Sequence, residues 1–154
     1  MSLIPQLHRG ALSSIARLLD NYDNYLSNLN PGSDLPICAP SFDICETEDA
    51  YYFYGELPGV QSKNLYVELR DQHTLILKGQ SERQSSSDVK GGVWCVLERS
   101  VGDFGRIFSF PTSVDVDGAH AHLRDGIISL IVPKGASISI NKKVTIESWI
   151  GDFP

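Results

Sequence analysis

Positive charge is scarce in this chain. Thirteen Lys and Arg stand against 19 Asp and Glu, leaving a net charge of −6 over 154 residues. A nucleic-acid surface needs the opposite excess to neutralise phosphates, so no nucleic-acid partner is expected. Long apolar runs are lacking too, and none approaches the roughly 18 residues of a membrane span. The N-terminus has no basic head followed by an apolar stretch and a small-residue cleavage site, and a cytoplasmic protein is expected. Cysteine is sparse and odd in number: Cys38, Cys45 and Cys95 do not have metal-ligand spacing and read as reduced thiols. Cys95 alternates with Val93 and Leu97 and is expected to be buried; Cys38 reads as solvated. No Gly-x-Ser-x-Gly elbow, P-loop or dinucleotide fingerprint is present. His120-Ala121-His122 places two imidazoles on one strand face, but no third ligand is predictable. Asp115-Val116-Asp117, between Pro111 and Gly118, reads as a turn. Neither an enzyme nor a cofactor or metal site is expected.

What the chain does have is apolar pattern. Hydrophobic residues make up 42 % of it, enough for a core. Leu12, Ile15, Leu19, Tyr22, Leu26 and Leu29 recur at steps of three and four and predict an amphipathic N-terminal helix. A break, Pro31-Gly32-Ser33-Asp34-Leu35-Pro36, loosens that helix from the rest of the chain. With a polar face poor in Lys and Arg, its apolar stripe suits another subunit or a non-native protein better than a membrane, so no stable membrane association is expected.

From Ser41 onward the pattern is β. Tyr51-Tyr52-Phe53-Tyr54, Leu65 to Leu69, Leu75-Ile76-Leu77, Val93 to Leu97, and Ile107 to Phe110 are short strand signals separated by Gly, Asp and Pro clusters. Their spacing predicts an antiparallel sandwich. Gln84 to Gly92 is the longest polar interruption and reads as an exposed loop, with Ser85-Ser86-Ser87 as possible phosphate acceptors. The most informative stretch is Ala121 to Lys134. Asp125-Gly126 predicts a two-residue hairpin turn, Ile127 to Val132 is apolar on both faces, and Pro133 should end the ladder.

Five motifs then occur in order: Glu56-Leu57-Pro58-Gly59-Val60; Leu75-Ile76-Leu77-Lys78-Gly79; Glu98-Arg99-Ser100 leading into Gly102-Asp103-Phe104-Gly105-Arg106; Phe110-Pro111; and Asp125-Gly126-Ile127-Ile128 with Val132-Pro133-Lys134. Together they resemble the α-crystallin domain of small heat-shock proteins of the bacterial, plant and fungal type. The resemblance implies an all-β, immunoglobulin-like antiparallel sandwich, divided as an arm at 1–40, the domain at 41–134 and a C-terminal extension at 135–154. It also implies ATP-independent binding of unfolding proteins by homodimers that assemble into a larger homo-oligomer.

The same resemblance gives expectations for particular residues. Val144 and Ile146, period-two neighbours after Lys142-Lys143, match the tail motif that docks on another subunit; Ile138 and Ile140 share the spacing and compete. The receiving groove is expected from Leu65, Val67 and Leu69 with Ile128, Leu130 and Val132. A loop strand exchanged between partners, with Arg83, Val89, Trp94 and Arg106, would form the dimer interface. Leu12, Ile15, Leu19, Tyr22 and Leu26 would meet clients. Trp149, Ile150 and Phe153 depart from the polar tails of the family and suggest a C-terminus that folds back or packs at an interface.

Overall fold

The computed structural model describes residues 39–85 and 88–148. The N-terminal stripe from Leu12 to Leu26, Cys38, Ser86-Ser87 and the apolar segment Trp149 to Phe153 lie outside the described residues. The remainder is two facing sheets. Strands β1 (Phe42–Glu46), β2 (Ala50–Glu56), β7 (Ile127–Pro133), β6 (His120–Arg124) and β9 (Ile146–Ser148) lie side by side in the larger sheet. In the smaller sheet β5 (Gly102–Ser109), β4 (Thr74–Ser81), β3 (Leu65–Arg70) and β8 (Lys142–Lys143) are neighbours in that order. All pairings are antiparallel except that of β6 with β9. This is the sandwich that the strand spacing predicts.

Period-two alternation sorts the side chains. In β2, Tyr51 and Phe53 are buried while Tyr54 is exposed; in β3, Leu65, Val67 and Leu69 point inward. Phe53, Phe108 and Phe110 meet in the centre, with ring centroids of Phe53 and Phe108 5.1 Å apart. Each fully buried side chain of this size contributes about 1.5–3 kcal/mol, so this cluster carries much of the fold.

Two turns behave as their residues dictate. Asp125 (φ 51°) and Gly126 (φ 77°) both take positive φ, as a type I′ hairpin turn between β6 and β7 requires. In the turn after β2, Gly59 has φ 75° and the Val60 N–H donates to the Leu57 carbonyl at 3.2 Å. Pro133 is the last residue of β7, as its missing N–H requires. Strand β7 is interior to its sheet, between β2 and β6, so both of its hydrogen-bonding edges are paired. Ile128, Leu130 and Val132 face the core, whereas Ile127 remains exposed on the outer face. Asp117-Gly118 is a turn, as Asp115-Val116-Asp117 predicted.

One strand expectation is overturned. Val93 to Leu97 forms no strand, and β4 pairs directly with β5 across the base of the connection. Cys95 is exposed, contrary to the burial its alternation suggested. The inner position that alternation promises does not exist here, because both neighbours of β4 are already taken by β3 and β5.

Candidate functional site

The candidate region is built where the sandwich would otherwise end. Without the tail, β3 would be an edge of the smaller sheet and β6 an edge of the larger one; the tail from Lys142 to Ser148 lies along both, and its strands β8 and β9 form the edges instead. It first pairs with β3, Lys142 opposite Leu69 and Lys143 opposite Glu68. The Val144 N–H then donates to the Val67 carbonyl at 2.9 Å. Finally Ile146 to Ser148 runs parallel to β6, opposite Ala121 to Leu123. Val144 is 3 % exposed and belongs to the core, and Ile146 packs against it.

Val144 and Ile146 are thus brought to a groove together, but it is the groove of their own domain, and its walls differ from those anticipated. Leu65, Val67 and Leu69 supply one wall. Ile128, Leu130 and Val132 do not supply the other: β7 is separated from the tail by β6, so these side chains are interior core. Ala121 and Leu123 of β6 take that place. Sequence pattern missed them because hydrophobicity does not reveal which strand is an edge. On the outer side of the same pairing, His122 Nδ1 lies 3.7 Å from Glu147 Oε2, so His122 faces a carboxylate of the tail. His120 is exposed.

The segment leading into the tail is held by polar groups. Asp117 Oδ2 accepts from Ser137 Oγ at 2.8 Å and from the Ser139 N–H at 3.2 Å, and these bonds hold its carboxyl below the usual carboxylate range. Gln72 Nε2 donates to the carbonyls of Ser137 and Ser139 at 2.9 and 3.0 Å. The Asp71 N–H donates to Asn141 Oδ1 at 2.9 Å. Asp71 and Gln72 both have positive φ in the β3–β4 turn, which aims their groups at the tail. With its backbone tied down, the segment leaves Ile138 at 101 % and Ile140 at 63 % exposure. Of the two competing motifs, Val144 and Ile146 are seated and Ile138 and Ile140 are not. Beside the tail, Lys78 and Lys143 approach the Tyr66 ring. The Tyr66 hydroxyl donates to Glu68 at 2.9 Å, which raises its own pKa, and Arg70 with that hydroxyl lowers that of Glu68.

The second feature is the connection from residue 82 to residue 101. Arg83 Nη2 donates to the Arg99 carbonyl at 2.6 Å and closes its base. Beyond that base, Val93, Trp94, Val96 and Leu97 are 83, 45, 66 and 58 % exposed, and Val89, Val93 and Trp94 line a shallow cleft. Arg83, Val89 and Trp94 therefore share one loop. Arg106 lies apart, on edge strand β5. Its Nη1 donates to the Pro40 carbonyl at 2.9 Å and its guanidinium stands over Phe108 and Phe42, 4.9 and 5.8 Å from the ring centres. There it covers the open side of the sandwich between β1 and β5. Among the described residues no three His, Cys, Asp or Glu side chains group as a metal site, and no helix is long and apolar enough to cross a membrane.

A two-sheet immunoglobulin-like sandwich, with a tail laid along β3 and β6 and a long loop between β4 and β5 that carries exposed apolar side chains, defines the α-crystallin-domain class. The model for "Hsp20/alpha crystallin family" matches residues 43–147, and the chain belongs to that family. It is 38 % identical to the 30 kDa heat shock protein of Emericella nidulans, over 90 % of this chain and 94 % of that one. An 18.1 kDa class I heat shock protein of Pisum sativum is 32 % identical, over 87 % of this chain and 90 % of the relative. Among solved structures, heat shock protein 16.0 of Schizosaccharomyces pombe is similar with a TM-score of 0.64 at 25 % identity, covering 90 % of this chain and 95 % of that one. A small heat-shock protein of Xylella fastidiosa gives 0.53 at 33 % identity, covering 65 % of this chain and 89 % of that one.

Proposed function

We propose that this protein is an ATP-independent chaperone that binds partly unfolded proteins in the cytoplasm and keeps them from aggregating. Family membership supports a chaperone role in general. The observation that carries the finer reading is the loop at 82–101, which holds Val93, Trp94, Val96 and Leu97 in solvent outside any core. An apolar patch of this kind needs a partner. In the proposed assembly that partner is a second subunit: the loop crosses to the free edge of the partner's β1, forming a homodimer near Arg83, Val89, Trp94 and Arg106.

Larger homo-oligomers then form if Val144 and Ile146 exchange their own groove for a neighbour's. The two geometries use the same contacts, so exchange costs little beyond the entropy of association. Seating two such side chains contributes a few kcal/mol, small enough for heat to shift the population toward open grooves. Clients would then meet the groove, the loop and the N-terminal stripe of Leu12, Ile15, Leu19, Tyr22 and Leu26. No catalytic step or nucleotide is involved.

The test is suppression of heat-induced aggregation of an unrelated enzyme, measured by turbidity without ATP. Suppression at equimolar ratio is expected, and its absence there and at excess would refute the reading. Light scattering should give a mass many-fold above 17.0 kDa, falling toward the dimer when Val144 and Ile146 are both replaced by Gly. A monomer that binds a single folded protein would identify an adaptor instead.

A further inference from the structure

Two thiols stand exposed among the described residues, and they sit on the two surfaces that a loop-exchanged dimer brings together. Cys45 is on β1, an edge strand of the larger sheet, and Cys95 is in the apolar stretch of the 82–101 connection. Both are free thiols, and Cys95 Sγ donates to the Val93 carbonyl at 3.6 Å.

The backbone fixes how Cys45 meets a strand added to that edge. The Glu56 N–H donates to the Ser41 carbonyl and the Thr47 N–H to the Ala50 carbonyl. Both bonds continue the register of β1 with β2, in which Phe42 is opposite Gly55 and Cys45 is opposite Tyr52. Hydrogen-bonded and non-hydrogen-bonded pairs alternate along an antiparallel ladder, so Ser41, Asp43, Cys45 and Thr47 turn their N–H and C=O groups toward β2. Phe42, Ile44 and Glu46 turn theirs to the free edge. A strand joining antiparallel there bonds through those three residues and leaves Cys45 at a non-hydrogen-bonded position. Opposed Cα atoms at such positions come within about 4.5 Å rather than about 5.5 Å. That lies inside the range of roughly 4.4–6.8 Å that disulfides span.

Alternation chooses the face. Phe42 and Ile44 pack against the core, whereas Cys45 is exposed. Trp94 and Val96 flank Cys95 in sequence. When those two point inward and continue the core beside Ile44, Cys95 falls on the outer face with Cys45. Opposing the two thiols sets Val96 against Ile44 and matches residues 94–98 to the whole of β1.

We propose that Cys95 of one subunit and Cys45 of its partner form a disulfide across the dimer interface on oxidation, twice per dimer by symmetry. The pairing rests on the loop-exchanged dimer proposed above. Hydrogen peroxide is the oxidant. One thiolate attacks a peroxide oxygen, giving a sulfenic acid and hydroxide; the second thiolate attacks that sulfur and expels a second hydroxide. For each disulfide, two thiols give up two electrons and two protons, and one peroxide becomes two waters. The bond holds in place a loop that otherwise comes and goes, so peroxide stops dimers from exchanging subunits and a thiol reductant restores exchange.

The full-length Cys38→Ser chain, which keeps only Cys45 and Cys95, tests this. It is treated with equimolar peroxide, alkylated, and resolved on a non-reducing denaturing gel. A band at the mass of two chains is expected, with a Cys45–Cys95 cross-linked peptide by mass spectrometry. Adding Cys45→Ser or Cys95→Ser should abolish the band, while co-refolding those two variants should restore it, since each supplies the thiol that the other lacks. A band that survives in either variant, a cross-link within one chain, or a co-refolded mixture without the band overturns the pairing. So does the absence of any cross-link in a protein whose reduced mass by light scattering is that of a dimer or a multiple of it, a result that leaves the dimer standing. A reduced protein that is monomeric refutes the dimer and the disulfide together.

Discussion

Truncating Val144 isolates what the tail motif contributes. Val144→Ala removes two methyl groups from a side chain that is 3 % exposed and packed in the core. At about 0.8 kcal/mol per buried carbon, with a cavity contribution added, the loss is about 2 kcal/mol. The backbone bond from residue 144 to the Val67 carbonyl is retained, so the loss comes from packing alone. Because the segment's strands β8 and β9 sit at the outer edges of the two sheets, the change falls on docking of the tail rather than on the sandwich. A loss of about 2 kcal/mol raises the undocked fraction about 30-fold. Amide hydrogen exchange read by mass spectrometry should therefore accelerate by that factor in peptides covering 142–148, while those covering β4 and β5 keep their wild-type rates. Equal acceleration in β4 and β5 would mean that Val144 supports the whole fold, and unchanged rates in 142–148 would mean that its side chain is not what holds the tail. Either result refutes the reasoning.

Single positions elsewhere give sharper contrasts. Gly126→Ala should destabilise the domain by about 1–2 kcal/mol in urea titration, because φ 77° is strained for any side chain and the new Cβ would meet Pro58 Cα at 3.2 Å. Arg106→Ala should lower the melting temperature by uncovering Phe42 and Phe108 and orphaning the Pro40 carbonyl, and Arg106→Lys should restore little of it, since an ammonium cannot stack as a plane. Asp117 has a lowered pKa, so its contribution to holding Ser137 and Ser139 is present above the ordinary aspartate value of 3.8 and is lost as pH falls below it. Exchange in 137–141 should speed up across that acid range in wild type, and should be faster and independent of pH there in Asp117→Asn once intrinsic exchange rates are divided out.

The sequence carried the strands of the sandwich because each alternates against one core, as Tyr51 with Phe53 and Leu65 with Leu69 do. It carried the Asp125-Gly126 turn because only a few residues accept both positive φ values. It misplaced the second wall of the groove for a topological reason: Ile128 and Leu130 are more apolar than Ala121 and Leu123, but the edge position belongs to β6. It misread Cys95 because alternation records a surface that wants covering without saying which chain covers it. The clamp on residues 137–141 was invisible, since Asp117, Gln72 and Asn141 are ordinary polar residues whose partners lie far along the chain; Asp71 and Asn141 are 70 positions apart. That clamp is also what distinguishes Ile138 and Ile140 from Val144 and Ile146, two pairs that their spacing alone leaves equal.

Closure of both edge strands by the last described residues has a consequence for synthesis. Strand β3 leaves the ribosome about 70 residues before β8, and at about 5–20 residues per second its outer edge waits roughly 4–15 seconds for its partner. Strand β6 waits only for the twenty-odd residues to β9. During that interval the nascent sandwich exposes β3 and β6 as unpaired edges in addition to β1 and β5, the state most open to joining another chain. Among the described strands, those that fill the groove are thus the last to be made, and neighbouring nascent chains on one message are natural first competitors for it.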